Sequence, residues 1–337
     1  NPCLWIDGQG GVLMLNKKVL TIGAAIQDVF LSQSDILRPV CLEPEKCFQE
    51  LPLGSKTDVN KINFSTGGGA TNAAVTLARN GIDTMFMGCI GKDPAGDAVM
   101  LDLDKENVDP SKVFYSDKYN TGYSVLLLAP NGERTILTYR GASTHYDENK
   151  YSIDDLDIDW LYVSSVSGNM RLLNKLFNEC YQKQIKIMFN PGKKELAQVD
   201  KLKGLLEDVE ILSLNKEEAK MLVPGESSEE LARRLLNYVP ITIVTDSTNG
   251  AVVADRCKKQ VITIGLYDNH YSVDRTGAGD AFASGFLAEY LYSEDVKKAI
   301  TFAAANSSSV VMKIGAKTGI IGRDYPIHEV EMEIKKL

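Results

Sequence analysis

From residue 159 onward the chain alternates between short apolar, β-prone runs and longer segments with helical spacing. Trp160 to Ser164, Ile185 to Phe189, Val209 to Leu214 and Ile241 to Thr245 read as strands, with helices at Leu172 to Gln184 and Ser228 to Tyr238. Strands joined through helices run parallel, and a parallel sheet is covered on both faces. The alternation therefore predicts an α/β core with helices on each side. The same order holds earlier. Lys18 to Ala25 is an apolar strand, Ala70 to Arg79 a small-residue helix stopped by Asn80-Gly81, Thr84 to Ile90 a strand, and a further helix begins at Asp97. Ligands of such sheets sit outside the carboxyl ends of the strands.

Two stretches break the pattern. Residues 31–61 hold Pro39, Pro44 and Pro52 among mixed charges. Residues 121–144 place Gly122 to Leu128 and Arg134 to Tyr139 on either side of Asn131-Gly132, a hairpin signal. Two β-rich excursions from one core are expected to pair as a small sheet acting as a lid. The predicted division is a core of residues 14–30, 67–112 and 145–337, with a lid of 31–66 and 113–144. Residues 1–13 look unlike the strand that follows, and Met14 is a natural start. They are read as upstream or added residues outside the fold.

The net charge of −8, with no Lys/Arg block, argues against a nucleic-acid surface. Six cysteines (Cys3, Cys41, Cys47, Cys89, Cys180, Cys257) are scattered without a C-x-x-C pair, which reads as reduced thiols rather than a zinc site or a disulfide framework. The three histidines make no H-E-x-x-H pattern, and no apolar run reaches the ~18 residues a membrane span needs. A cytoplasmic protein is expected. No G-x-x-x-x-G-K-[ST] occurs and neither glycine cluster completes G-x-G-x-x-G, so a P-loop NTPase and a Rossmann dehydrogenase are unsupported.

The stretch from Tyr271 to Phe286 carries the chemistry. Gly277-Ala278-Gly279 opens a helix at Asp280, after a strand at Val261 to Ile264. Amides at a helix N-terminus, approached over small residues, make an anion site. An aspartate beside that site is suited to take a proton from a hydroxyl while the amides hold phosphoryl charge.

The longer string Asp274-Arg275-Thr276-Gly277-Ala278-Gly279-Asp280-Ala281-Phe282 resembles the C-terminal signature of the ribokinase (PfkB) family of carbohydrate and nucleoside kinases, and Gly67-Gly68-Gly69-Ala70-Thr71-Asn72-Ala73-Ala74 resembles its N-terminal signature. The resemblance covers nearly the whole chain after Met14. It implies a three-layer ribokinase-like fold with a mostly parallel central sheet, helices on both faces and a small β-sheet lid. The implied activity is ATP-dependent phosphorylation of a sugar hydroxyl, of the ribokinase, fructokinase or 2-keto-3-deoxygluconate kinase type. A nucleoside kinase of the adenosine, inosine or pseudouridine type is the alternative, and a non-catalytic sugar or nucleotide sensor the rival from another class.

Residue by residue, the resemblance makes Asp280 the base and gives the phosphoryl charge to the amides of Gly277, Ala278 and Gly279. Gly67, Gly68, Gly69 and Asn72 then meet the substrate, together with Asp28 at Gly23-x-x-x-x-Asp28. Ribokinases proper tend to carry a lysine within this glycine run, which is absent here, and its absence disfavours ribose. Asn190 of Asn190-Pro191 is placed near the phosphates, and Asn215-x-x-Glu218 near hydrated Mg2+. Thr245 and Gly250 are placed in a nucleotide turn whose first glycine is here Ser247, and Asn306 beside adenine. Asp274, with Gly315-Ala316, resembles the loops that hold a monovalent cation such as K+. Arg134 and Arg140 lie on the hairpin, where arginines are usually surface charge. Arg140 is the substrate-side candidate, suited to an acidic sugar or phosphate. Dimerisation through the lid edges is expected by the same analogy.

Overall fold

The computed structural model describes residues 17–43, 46–130, 133–268 and 272–337. Among these, sixteen strands form three sheets: β1 (Lys18–Ile22), β2 (Ile26–Ser32), β3 (Val40–Glu43), β4 (Lys46–Phe48), β5 (Lys61–Gly67), β6 (Asp83–Gly91), β7 (Asp109–Ser116), β8 (Gly122–Leu128), β9 (Arg134–Tyr139), β10 (Trp160–Val163), β11 (Lys186–Phe189), β12 (Ile211–Asn215), β13 (Ile241–Thr245), β14 (Ala251–Asp255), β15 (Gln260–Ile264) and β16 (Met332–Lys336). Their α-helices are α1 (Gly69–Arg79), α2 (Pro94–Lys105), α3 (Met170–Lys183), α4 (Lys193–Leu196), α5 (Val199–Leu205), α6 (Lys216–Leu222), α7 (Ser228–Leu235), α8 (Ala278–Ser293) and α9 (Val296–Val311).

The main sheet has the order β16-β15-β14-β13-β12-β11-β10-β1-β6-β7. It is parallel from β7 to β13 and antiparallel beyond. Side chains alternate across it because successive residues of a strand face opposite ways. Leu161 and Val163 of β10 join one core with Leu172 and Phe177 of α3 and Leu231 of α7. Trp160 and Tyr162 join the other, with Leu77 of α1, Phe286 of α8 and Ile300 of α9. Both faces are covered, and the three-layer expectation is met.

The small sheet has the order β5-β2-β8-β9. Its outer pairs are antiparallel, while β2 and β8 run parallel, as expected of strands from two separate excursions. Asn131-Gly132 falls outside the described residues, although β8 and β9 pair antiparallel on either side of it with Leu128 opposite Arg134.

The predicted division is corrected at two places. The small sheet starts at Ile26, because the chain leaves the core at Gly23, so residues 26–30 pair with β5 and β8. Residues 113–116 stay in the main sheet, as the end of β7 against β6.

The reduced-thiol expectation is also corrected. Cys41 and Cys47 face each other across the β3–β4 hairpin with Cα atoms 4.0 Å apart, and are joined by a disulfide. A hairpin between two cysteines brings them together at a spacing that no C-x-x-C search detects. Cys89 and Cys180 are buried and free, and Cys257 is exposed. Among the described residues no helix is long and apolar enough to cross a membrane.

Candidate active site

The carboxyl ends of β1 and β10 are neighbours where the chain passes from one half of the main sheet to the other, and an open α/β sheet leaves a crevice at such a point. Gly23, the segment Gly67-Gly68-Gly69, Ser164 and the start of α8 meet there. A side chain on Gly68 would strike the Ala24 carbonyl oxygen at 2.2 Å, and its φ of 102° suits only glycine. A Cβ on Gly67 would lie 2.2 Å from Asp28 Oδ2. One on Gly69 would lie 2.3 Å from Ser164 Oγ and 3.2 Å from Asp280 Oδ1. The glycines thus let two carboxylates, one from the small sheet and one from α8, close on a single stretch of backbone.

Asp280 stands in the first turn of α8, behind a left-handed Gly277 (φ 79°) whose Cβ would lie 2.4 Å from that of Ala316. The N–H groups of Gly279 and Asp280 have no intrahelical acceptor by position. Gly279 faces open space on its Cβ side. The Ala278 N–H instead reaches back to the Arg275 carbonyl at 3.4 Å. Asn72, buried on α1, donates through Nδ2 to Asp280 Oδ2 at 2.8 Å, while its own buried Oδ1 has no partner among the described residues. Burial raises the Asp280 carboxyl above the ordinary carboxylate range, and the Asn72 hydrogen bond opposes that rise.

Asp28 is buried on β2 and its pKa is pushed up to about 6 by that burial. A hydrogen bond with Ser124 and the Lys317 charge pull it down, while the Asp274 charge adds to the rise. Asp274 is buried too. Its Oδ1 accepts from Thr276 N (2.9 Å) and Thr276 Oγ1 (2.6 Å), and its Oδ2 from Gly315 N (3.0 Å).

Beside the start of α8 opens a cavity of about 1070 Å³, lined by Lys193, Asn215, Glu218, Thr245, Gly250, Ala278 and Gly279, with Ala304, Ser307 and Ser308 of α9 on one wall. Asn215 and Glu218 cap α6 reciprocally. Asn215 Oδ1 accepts from Glu218 N, and Glu218 Oε2 accepts from Asn215 N, both at 2.9 Å. Burial raises Glu218 first, Asn215 and Lys193 lower it, and the Asp280 charge raises it again, so the two acids sense each other. Ser247 adopts the left-handed backbone (φ 48°) in place of glycine, and Gly250 (φ 82°) is forced, since its Cβ would lie 2.0 Å from the Ile264 carbonyl oxygen. Lys216, at 3.0 Å from Asp246, pins this turn to α6.

Three expected residues sit elsewhere. Asn306 is wholly buried, donating to the Ala281 carbonyl (2.8 Å) and accepting from Ile321 N (3.0 Å), so it joins α8 to the C-terminal loop and does not line the cavity. Asn190 ties strand ends, through its Nδ2 to the Ser213 carbonyl at 2.8 Å and its N–H to the Val163 carbonyl at 2.8 Å. Arg140 is exposed beyond the end of β9. Arg134 instead reaches inward, with Nε 3.8 Å from Asp274 Oδ1.

Sequence reasoning missed Lys317, Ser164 and Glu195. Glu195 is fully buried and accepts from Val166 N, Gly168 N and Gly192 N, fixing the loops after β10 and β11. Among the charges of Lys193-Lys194-Glu195 nothing in the sequence marks it as buried.

Amides without intrahelical acceptors at the start of α8, an acid in its first turn and a second acid set against a triglycine segment suit phosphoryl transfer to a hydroxyl. The chain belongs to the pfkB family of carbohydrate kinases, whose model matches residues 17–321. It is a sugar or nucleoside kinase of that family. It is 27% identical over 270 residues to the nucleoside kinase of Methanocaldococcus jannaschii, covering 79% of this chain and 85% of the relative. It is 24% identical over 276 residues to the ribokinase of Haemophilus influenzae, covering 79% and 87%. The fold matches a putative ribokinase II from E. coli in complex with ATP and Mg2+, with a TM-score of 0.76 at 20% identity, covering 91% of this chain and 96% of that one.

Proposed function

We propose that the protein transfers the γ-phosphoryl group of ATP to a hydroxyl of a sugar bound between Asp28 and Asp280. The observation that carries this is the approach of both carboxylates to Gly67-Gly68-Gly69. Asp28, an acceptor with two oxygens, grips vicinal hydroxyls. Asp280, oriented by Asn72 and raised by burial, takes the proton of the attacking hydroxyl, because a base moved toward neutrality is a better acceptor at cellular pH. The free first-turn amides of α8 hold the charge on the transferred group. Thr245 and Gly250 line the nucleotide cavity, and the wall of α9 facing the base is Ala304, Ser307 and Ser308.

The site fits Mg2+. Glu218 is a half-buried carboxylate on the cavity wall, and among the described residues no group of three or more His, Cys, Asp or Glu could form a protein cage. Mg2+ keeps its waters and takes few carboxylates, so Glu218 would hold it through water. When bound, the ion neutralises phosphate charge.

A nucleoside is the second reading, favoured by the likeness to the Methanocaldococcus jannaschii nucleoside kinase. ADP release with ATP and Mg2+ across ribose, fructose, 2-keto-3-deoxygluconate, adenosine, inosine and pseudouridine decides between them. Asp280→Asn serves as the control, expected to lose turnover while still binding ATP. Turnover by that variant would remove Asp280 from the role of base. We also infer that the small sheet closes over bound substrate and that its exposed apolar face is covered by a second copy of the chain.

A further inference from the structure

The loops at Asp274 and Gly315-Ala316 do not fit a monovalent cation. Such an ion is held by oxygen lone pairs directed at one point. At Asp274 three of the four lone pairs are taken, since Oδ1 accepts two hydrogen bonds from Thr276 and Oδ2 one from Gly315 N, which leaves a single lone pair for an ion. The loops themselves are in contact, since a Cβ on Gly277 would lie 2.4 Å from that of Ala316. A positive charge is also in place. Arg134, the first residue of β9, brings Nε to 3.8 Å from Asp274 Oδ1, and among the described residues that buried Nε has no hydrogen-bond partner. Asp274 has no exposed side-chain surface and Arg134 is 21% exposed, so the pair is only partly screened by water and salt. A guanidinium keeps its charge at every working pH, and a second cation beside it would meet like-charge repulsion.

We propose that Arg134 is the resident cation of this loop. It neutralises Asp274, holds the turn that leads into Gly277-Ala278-Gly279, and makes the anion site independent of added K+. Because Arg134 belongs to the small sheet, the same contact couples that sheet to the phosphoryl-binding turn. Arg134 is thus a positioning residue for the proposed transfer, and the inference rests on that reading of the turn.

The test uses ATP binding, measured by calorimetry in choline chloride and in KCl at matched ionic strength, so it needs no acceptor. The wild type is expected to change by less than about twofold, whereas a coupled cation typically alters affinity about 5- to 150-fold. Arg134→Gln is expected to bind ATP roughly tenfold more weakly in choline chloride and in KCl alike, and to recover with added guanidinium, with Arg134→Lys retaining most of the affinity. Wild-type ATP binding or melting temperature that rises steeply with K+ overturns the proposal. So does an Arg134→Gln variant that binds normally in choline. If that variant does not fold, the two wild-type arms still decide. A failure of every acceptor to be phosphorylated, with ATP bound equally in both salts, would count against the kinase reading and not against this one.

Discussion

Asp28 illustrates what burying an acid costs in stability. Its carboxyl ordinarily titrates near 3.8 and is moved to about 6 by burial, against the pull of Ser124 and Lys317. Between these values the native state holds a proton that the unfolded chain has released. Stability therefore falls as pH rises through that window, and above about 6 the full cost of the buried charge is present, about 3 kcal/mol. Asp28→Asn is expected to melt higher than wild type at pH 8 and nearly level with it at pH 4, in thermal unfolding followed across pH. The same change is expected to raise KM for the acceptor roughly tenfold or more, because a charge-assisted pair of hydrogen bonds is lost. A melting difference that does not vary with pH would contradict the assignment. Asp28 was readable as a strand-end acid. Its company was not, because Gly67, Ser124 and Lys317 come from three distant segments.

At the scale of elements, the part least legible in the sequence is the polar seam that joins α2, β5 and the loop after α9. Lys317 is buried and donates to Asp102 Oδ2 and to Thr66 Oγ1, each at 2.8 Å. Arg79 extends the seam, pairing with Glu106 at 2.7 Å and donating to the carbonyls of Lys317 and Ile320 at 2.9 Å. A lysine after Gly315-Ala316 gives no signal by itself, since only burial distinguishes it from surface charge. Lys317→Met leaves Asp102 with the Thr66 hydroxyl but without its buried cation. A loss of roughly 3 kcal/mol is expected in urea unfolding, the low end for such pairs because Asp102 keeps a quarter of its side chain exposed. Adding Asp102→Leu should return part of that loss. An unchanged midpoint for the single variant would show the seam to be energetically idle.

The strand–helix alternation and both glycine segments were legible because period and turn chemistry are local properties. Which sheet a strand joins is not local, which is why residues 26–30 and 113–116 were misplaced. Arg134 and Arg140 are an even number of residues apart, so alternation read from the sequence cannot choose between them. They lie about 20 Å apart along an extended chain, and only the one at the Asp274 end can reach it.

For the whole molecule, the remaining question is what covers the small sheet. β5 and β9 are its edges, and neither pairs with a further strand among the described residues. Register places Phe64, Val29, Val125 and Leu137 in one row across all four strands, and Phe64 and Leu137 at its ends are 65% and 55% exposed. Ile62, Tyr123 and Tyr139 extend the apolar surface. An unpaired edge flanked by such a surface is an association site, and self-pairing covers both edge and face at once. The protein is expected to sediment as a dimer at micromolar concentration, and Phe64→Glu with Leu137→Glu to sediment as a monomer. The inward face, which carries Asp28 and Arg134, is untouched by these changes, so the monomer should still bind ATP. If the dimer supplies the support against which the small sheet closes, kcat should fall in the monomer while ATP affinity holds. A wild type that stays monomeric at high concentration would leave the apolar row without this explanation and exclude the dimer.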